Sequence, residues 1–183
     1  MMSRRRFLKG AIAFACGYQL NRMWGRERVF ASTGLERTSE KVLKLRNIHT
    51  GERLHTRYCV NGNYDQNEIS RIHYLLRCHY ANAVKPINIR AIDLLCDLKN
   101  CFACGEEISI ISGYRSPEYN EHLRRLGRHV AAGSLHLDGL AIDLAIPGIR
   151  TGQLAKAAMQ FQAGGVGLYP EFVHIDVGRV RHW

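Results

Sequence analysis

The chain has 183 residues, enough for one domain with a substantial core and too few for two comfortable ones. Apolar residues make up 46% and charged residues 23%, which excludes a disordered or low-complexity chain. The formal charge of +10 is concentrated at the start: residues 1–28 hold seven basic side chains against one acidic, leaving 19 against 15 and a net +4 for the rest, with no basic stripe interleaved with aromatics to suit a nucleic acid.

The first element is an address. Ser3-Arg4-Arg5-Arg6-Phe7-Leu8-Lys9 precedes an apolar run from Ala11 to Leu20, the layout of a signal peptide, and its letters resemble the twin-arginine export motif. About ten apolar residues are too few to span a bilayer, so no stable membrane span is expected after processing. The plainer reading is the basic start of an amphipathic helix. Cleavage is expected near Ala31, after Val29-Phe30-Ala31, with lipidation of Cys16 or an uncleaved anchor as the alternatives. Residues 1–31 then form a twin-arginine signal peptide and 32–41 a polar linker. The destination is the periplasm or cell envelope, by way of the twin-arginine export machinery. That route carries proteins already folded, which suits a metal-loaded passenger.

From residue 42 onward the pattern is a mixed one. Val42-Leu43-Lys44-Leu45-Arg46 alternates apolar and charged and predicts a strand, with His49-Thr50-Gly51-Glu52 as a turn and Arg53 to Val60 as the returning strand of a hairpin. Asp65 is placed to cap a helix carrying Ile69, Ile72, Leu75 and Leu76, with Glu68 completing a capping box. Ile89 to Leu98 predicts a second helix and Ile108 to Ser112 a strand. Pro117 fits the first turn of a helix to Leu126, and Gly139 to Ile146 reads as a strand closed by Pro147-Gly148. Thr151 caps a helix to about Phe161, followed by short strands at Gly164–Leu168 and Phe172–Asp176. The expected class is α+β: a small antiparallel sheet with helices packed on one side and an N-terminal β-hairpin. Cys59, Cys78, Cys96, Cys101 and Cys104 lie beyond the signal. Cys96-x4-Cys101-x2-Cys104 echoes an iron–sulfur spacing but lacks a clear fourth ligand, and one CxxC alone is a weak zinc motif. Disulfides or plain buried thiols are the expected states.

The chemistry gathers in Ser134-Leu135-His136-Leu137-Asp138-Gly139-Leu140-Ala141-Ile142-Asp143 and Phe172-Val173-His174-Ile175-Asp176. Asp143 is flanked by Leu140, Ala141, Ile142, Leu144 and Ala145. An unpaired carboxylate there would cost several kcal/mol, so a metal or an arginine is its natural partner. Two neutral imidazoles and one carboxylate on a rigid sheet form a common catalytic zinc set, leaving a fourth position for water. A lone strand histidine is more often a hydrogen-bonded core residue. Asp176 shares a face with His174 because strand side chains repeat every two residues.

These stretches, with Asn47-Ile48-His49-Thr50-Gly51-Glu52, Ser112-Gly113-Tyr114-Arg115-Ser116-Pro117, Gly164-Gly165-Val166-Gly167-Leu168-Tyr169-Pro170 and the terminal Arg181-His182-Trp183, resemble the zinc D-Ala-D-Ala metallopeptidases with the lysostaphin-type sheet. Within them the chain looks closest to the twin-arginine-exported murein endopeptidases of the MepK type. The resemblance spans Val42 to Trp183. It implies a zinc peptidase domain over 42–183, with one zinc ion held by His136, Asp143 and His174 and peptidoglycan stem peptides as substrate. Arg115 matches the arginine that holds substrate and developing charge in the family; a turn residue paired with Glu118 is its plainer reading. Two carboxylates compete as general base. Glu171, three residues before His174, matches the wider family but departs from the subgroup. Asp176 is either the base or an acceptor that orients a metal-bound imidazole. Ser112 and Ser134 either bond within the cleft or satisfy loop backbone. His182 lies near the last strand, His129 precedes the metal motif, and both, with His49, His55, His73, His79 and His122, take the plain solvated or packed reading. A carboxypeptidase trimming D-Ala-D-Ala ends and a wall-binding domain without turnover are the rival functions.

Overall fold

The computed structural model describes residues 39–102, 107–128 and 130–183. The signal peptide, the linker up to residue 38, Cys104 and His129 lie outside the described residues.

Strands β1 (Glu40–Asn47) and β2 (Arg53–Val60) form the expected antiparallel hairpin. Alternation sends Leu43 and Leu45 of β1 and Leu54, Thr56 and Tyr58 of β2 inward, while Lys44, Arg46, His55 and Arg57 face outward. The turn between them needs φ +75° at Gly51, a left-handed conformation that glycine adopts without strain. Strand β3 (Asn63–Tyr64) folds back onto β2. Asp65 then caps α1 (Gln66–Leu75), accepting from the N–H groups of Asn67 and Glu68. The capping box is only half made: the Glu68 carboxylate accepts from the Thr56 hydroxyl and from Arg71 instead.

Helix α2 (Ile89–Cys101) starts at Asn88, whose side chain accepts from the Arg90 N–H. Strand β4 (Ile108–Ser112) follows, then α3 (Pro117–Arg125) with Ser116 as cap. Next come β5 (Ala141–Ala145), α4 (Thr151–Gln160), β6 (Gly165–Leu168), β7 (Val173–Asp176) and β8 (Arg181–His182). Thr151 is the first residue of α4 rather than its cap; Arg150 holds the cap position with no side-chain bond.

All eight strands join one sheet in the order β3-β2-β1-β4-β5-β7-β6-β8. The expected small antiparallel sheet is therefore corrected on two counts. The N-terminal hairpin is continuous with the strands that carry the site, and β1 pairs in parallel with β4, as β6 does with β8. A parallel pair needs a long crossover, and the stretch holding α1 and α2 supplies it between β2 and β4.

Helices α1, α2 and α4 pack on one face of the sheet, where Leu94, Leu95 and Leu98 join Leu43, Leu45, Ile108, Ile110, Ile142, Leu144, Val173 and Ile175 in the core. Each such side chain contributes about 1.5–3 kcal/mol by leaving water. Helix α3 departs from this layer and buries only Asn120. Cys59, Cys78 and Cys96 are buried free thiols, one of the two expected states, whereas Cys101 is a free thiol that is exposed. No helix among the described residues is long and apolar enough to cross a membrane.

Candidate metal centre

Strand alternation places the site on the face of the sheet away from the helices. Ile142 and Leu144 of β5 and Val173 and Ile175 of β7 enter the core, so Asp143, His174 and Asp176 point the other way. Asp143 and His174 are direct partners across the β5–β7 ladder, which sets both side chains on one rung. His136 arrives from a short 3₁₀ helix, Leu135–Asp138, that ends at Gly139. Gly139 has φ +66°, and a Cβ there would lie 2.3 Å from the Pro86 carbonyl oxygen, so the loop reaches the sheet only with glycine.

Three atoms converge. His136 Nε2 lies 3.2 Å from Asp143 Oδ1 and 3.2 Å from His174 Nδ1, and His174 Nδ1 lies 2.8 Å from Asp143 Oδ1. His136 is 1% exposed and Asp143 2%. The other nitrogen of each ring fixes its tautomer. His136 Nδ1 is 2.7 Å from the Gly113 carbonyl, which can only accept, so the proton sits on Nδ1 and Nε2 keeps a lone pair. His174 Nε2 faces Asp176 Oδ2 at 3.3 Å, so in the neutral ring the proton sits there and Nδ1 keeps a lone pair.

Two ring nitrogens and a carboxylate oxygen thus point into one small space, an arrangement that either a proton on His174 Nδ1 or a cation between the three would hold together. With zinc bonds of about 2.0–2.1 Å, tetrahedral ligands stand ~3.3 Å apart, close to the observed triangle. These residues fit a metal ion, and they are the one such group among the described residues. The electrostatics favour the metal-binding form of two of the three groups. Burial alone would push the Asp143 carboxyl up, but His136, His174 and Arg115 hold it well below the usual range. Burial pushes His136 down, keeping it neutral. Burial also acts downward on His174, yet its hydrogen bonds to Asp143 and Asp176 outweigh that and raise it, favouring a proton on Nδ1 that a bound ion would displace.

Arg115 does not pair with Glu118. Its Nη2 donates to Asp143 Oδ2 and its Nε to the Ser112 hydroxyl at 2.9 Å. Asp143 therefore offers Oδ1 to the triangle and Oδ2 to the guanidinium. Asp176 is equally occupied. Oδ1 accepts from the N–H groups of Gly165 and Gly178, each at 2.8 Å, and Oδ2 from Arg181 Nη2 at 2.8 Å. Burial opposes ionisation of Asp176, but the hydrogen bond with His174, those from Gly165 and Gly178, and the charge of Arg181 keep its carboxyl well below the usual range. Glu171 is exposed in the turn between β6 and β7 and makes no hydrogen bond or ion pair among the described residues. Of the six site residues read from the sequence, five come together and Glu171 stands apart.

His182 is exposed on β8. His49 and His79 stack at 3.8 Å, and His79, Tyr119, Tyr80 and His122 continue as a chain of ring contacts, of which His79 and Tyr119 lie near enough to Arg115 to feel its charge. Sequence reasoning missed Gly113, whose carbonyl orients His136, and Arg181, which neutralises Asp176. Asp176, an acid inside the apolar strand segment Val173–Val177, was the available signal that a cation had to meet it.

The family model described as peptidoglycan L,D-endopeptidase MepK matches residues 36–183. The peptidoglycan L,D-endopeptidase MepK of Escherichia coli K12 is 39% identical over 145 residues, covering 78% of this chain and 80% of that protein. The protein of the same name from Shigella flexneri matches to the same extent. The probable peptidoglycan L,D-endopeptidase MepK of Haemophilus influenzae is 34% identical over 146 residues, 78% of each chain. No solved structure matches the chain.

Proposed function

The chain belongs to the peptidoglycan L,D-endopeptidase MepK family, and from that premise we propose that it is a zinc-dependent murein endopeptidase hydrolysing peptide cross-links of peptidoglycan. The observation that carries the reading is the triangle of His136 Nε2, Asp143 Oδ1 and His174 Nδ1, three metal-seeking atoms gathered within 3.2 Å of one another, two of the three edges close to the tetrahedral spacing. The name of the relatives points to the L,D-type cross-link among the bonds available.

One zinc ion is held by His136, Asp143 and His174. When bound, zinc lowers the pKa of a water towards 7 and polarises a carbonyl. The chain's own residues do the rest. Gly113 and Asp176 hold the two imidazoles in their metal-binding tautomers. Arg115 fixes Asp143 and sets a permanent positive charge beside the reacting carbonyl, where it favours a developing oxyanion. With both oxygens engaged, Asp176 acts as the acceptor that orients His174. Glu171, whose carboxylate has no partner among the described residues, is the acid left to take the proton of the attacking water and return it to the leaving amine, and it must swing in from the turn between β6 and β7 to do so. The twin-arginine signal over residues 1–31 delivers the domain to the periplasm or envelope, and the linker expected to run to residue 41 is shorter, since β1 begins at Glu40.

The test is hydrolysis of purified cross-linked muropeptides, with and without a chelator, beside His136→Ala. Chelation should abolish cleavage and added zinc restore it. Cleavage retained by His136→Ala with no metal bound would sink the reading. Release of terminal D-Ala alone would make the protein a carboxypeptidase, and zinc binding without any hydrolysis would make it a wall-binding domain.

A further inference from the structure

We propose that Trp183, the last residue, is a positioning residue of the metal centre, its indole holding the His174 ring in the plane at which Nδ1 meets Asp143 and His136. The proposal rests on the reading of those three residues as a metal site.

The indole and the His174 imidazole lie 5.3 Å apart between centroids, tilted by 47°. The indole is itself held on several sides. Its Nε1 donates to the Tyr169 hydroxyl at 3.1 Å, and the Arg181 guanidinium lies 5.0 Å over its ring. Its backbone continues β8 along β6, with Trp183 N–H donating to Val166 O and Leu168 N–H to Trp183 O.

Glycines make the room. Gly167 is the direct partner of His174 on β6, and a Cβ there would come within 2.7–2.9 Å of three indole atoms. Any side chain at 167 therefore evicts the indole. Two residues earlier on the same face, a Cβ on Gly165 would lie 2.3 Å from Asp176 Oδ2 and 2.8 Å from Arg181 Nη1. The glycines of Gly164-Gly165-Val166-Gly167 thus clear a two-tier clamp. Asp176 and Arg181 fix the Nε2 end of His174, and the indole covers its ring.

Without that cover His174 would be held only at its two nitrogens and by the edge of His136, whose ring centroid is 5.0 Å away. A metal ligand needs its orientation held to about 10–20°, and hydrogen bonds at the nitrogens alone leave the ring free to rock about the line joining them. Trp183 itself is 50% exposed, so half its surface does no service to the core.

The experiment measures zinc affinity of the full-length chain by competition with a chromophoric chelator, and coordination geometry by the absorption spectrum of the cobalt(II)-loaded protein. Trp183→Ala and Gly167→Ala, which removes the indole from its seat without touching Trp183, should each bind zinc about tenfold more weakly and change the cobalt spectrum. Trp183→Phe, which keeps a ring against His174, should stay within about threefold of the natural chain. Natural affinity and an unchanged cobalt spectrum in both alanine variants would overturn the proposal. So would an affinity loss confined to variants that circular dichroism shows to be unfolded. If the natural protein binds zinc but cleaves no muropeptide, the peptidase reading fails while these affinities still decide the role of Trp183. If the natural protein binds no zinc, both fall.

Discussion

Replacing Asp176 by asparagine separates its two candidate roles. Asp176 is 1% exposed, and both its oxygens are engaged. An asparagine keeps one carbonyl oxygen, and the N–H groups of Gly165 and Gly178, both 2.8 Å from Oδ1, would claim it. The amide NH₂ then takes the Oδ2 position. There it meets Arg181 donor to donor, and its one available acceptor is His174 Nε2. The imidazole must move its proton to Nδ1, the atom that faces Asp143 and His136. Metal binding would then require a disfavoured tautomer. Losing such a partner costs about 10–100-fold in metal affinity. Asp176→Asn belongs near the upper end, because it removes an acceptor and inserts a donor. That is about 2.7 kcal/mol. The assay is zinc competition alongside muropeptide hydrolysis at limiting and saturating zinc. The expected result is about 100-fold weaker zinc binding, with turnover largely recovered when zinc saturates. Natural zinc affinity with turnover down by about 10²–10⁴ at all zinc concentrations would refute the reasoning and make Asp176 the base.

Two further outcomes follow from the geometry. Glu171→Gln should lower kcat by about 10²–10⁴ with zinc affinity and melting temperature unchanged, since the side chain is exposed and unpaired among the described residues; unchanged kcat would remove Glu171 from the mechanism. Glu52 accepts from Arg77 Nη1 at 2.7 Å and Nη2 at 3.1 Å, and those bonds, with one from Thr50, hold its carboxyl below the usual range. A depressed folded pKa gives stability that is full above the unfolded value of about 4.3 and lost as pH falls through the folded one. Urea denaturation should therefore show Glu52→Gln less stable than the natural chain near neutral pH, with the gap narrowing on acidification; a gap that does not change with pH would contradict the pairing.

Much of the architecture was legible because burial imposes a period. Leu43 and Leu45 set against Lys44 and Arg46 announce a half-buried strand, and Asp143 among Ile142 and Leu144 announces a carboxylate with a partner. What stayed hidden is what depends on neighbours distant in sequence. Alternation marks β1 as a strand but does not say that its far edge pairs in parallel with β4, so the sheet looked smaller than it is. Local capping logic assigned Glu68 to Asp65, but the Thr56 hydroxyl and Arg71, brought close by packing, took its carboxylate. His136, Asp143 and His174 were readable as residue types at positions that need partners, and the structure brings them together. The competition between Glu171 and Asp176 was not readable, because it turns on which carboxylate oxygens are already engaged and which can reach the attacking water, and both depend on residues distant in sequence.

The clamp behind His174 lies later in the sequence than the ring it braces. Arg181 and Trp183 follow β7, and chains emerge from the N-terminus, so His136, Asp143 and His174 are made before the residues that brace one of them. A nascent chain can pair the strands that carry those side chains while the surroundings of His174 are still incomplete. A product lacking Arg181 and Trp183 would keep its core and its triangle of side chains and still lack the braces that aim His174.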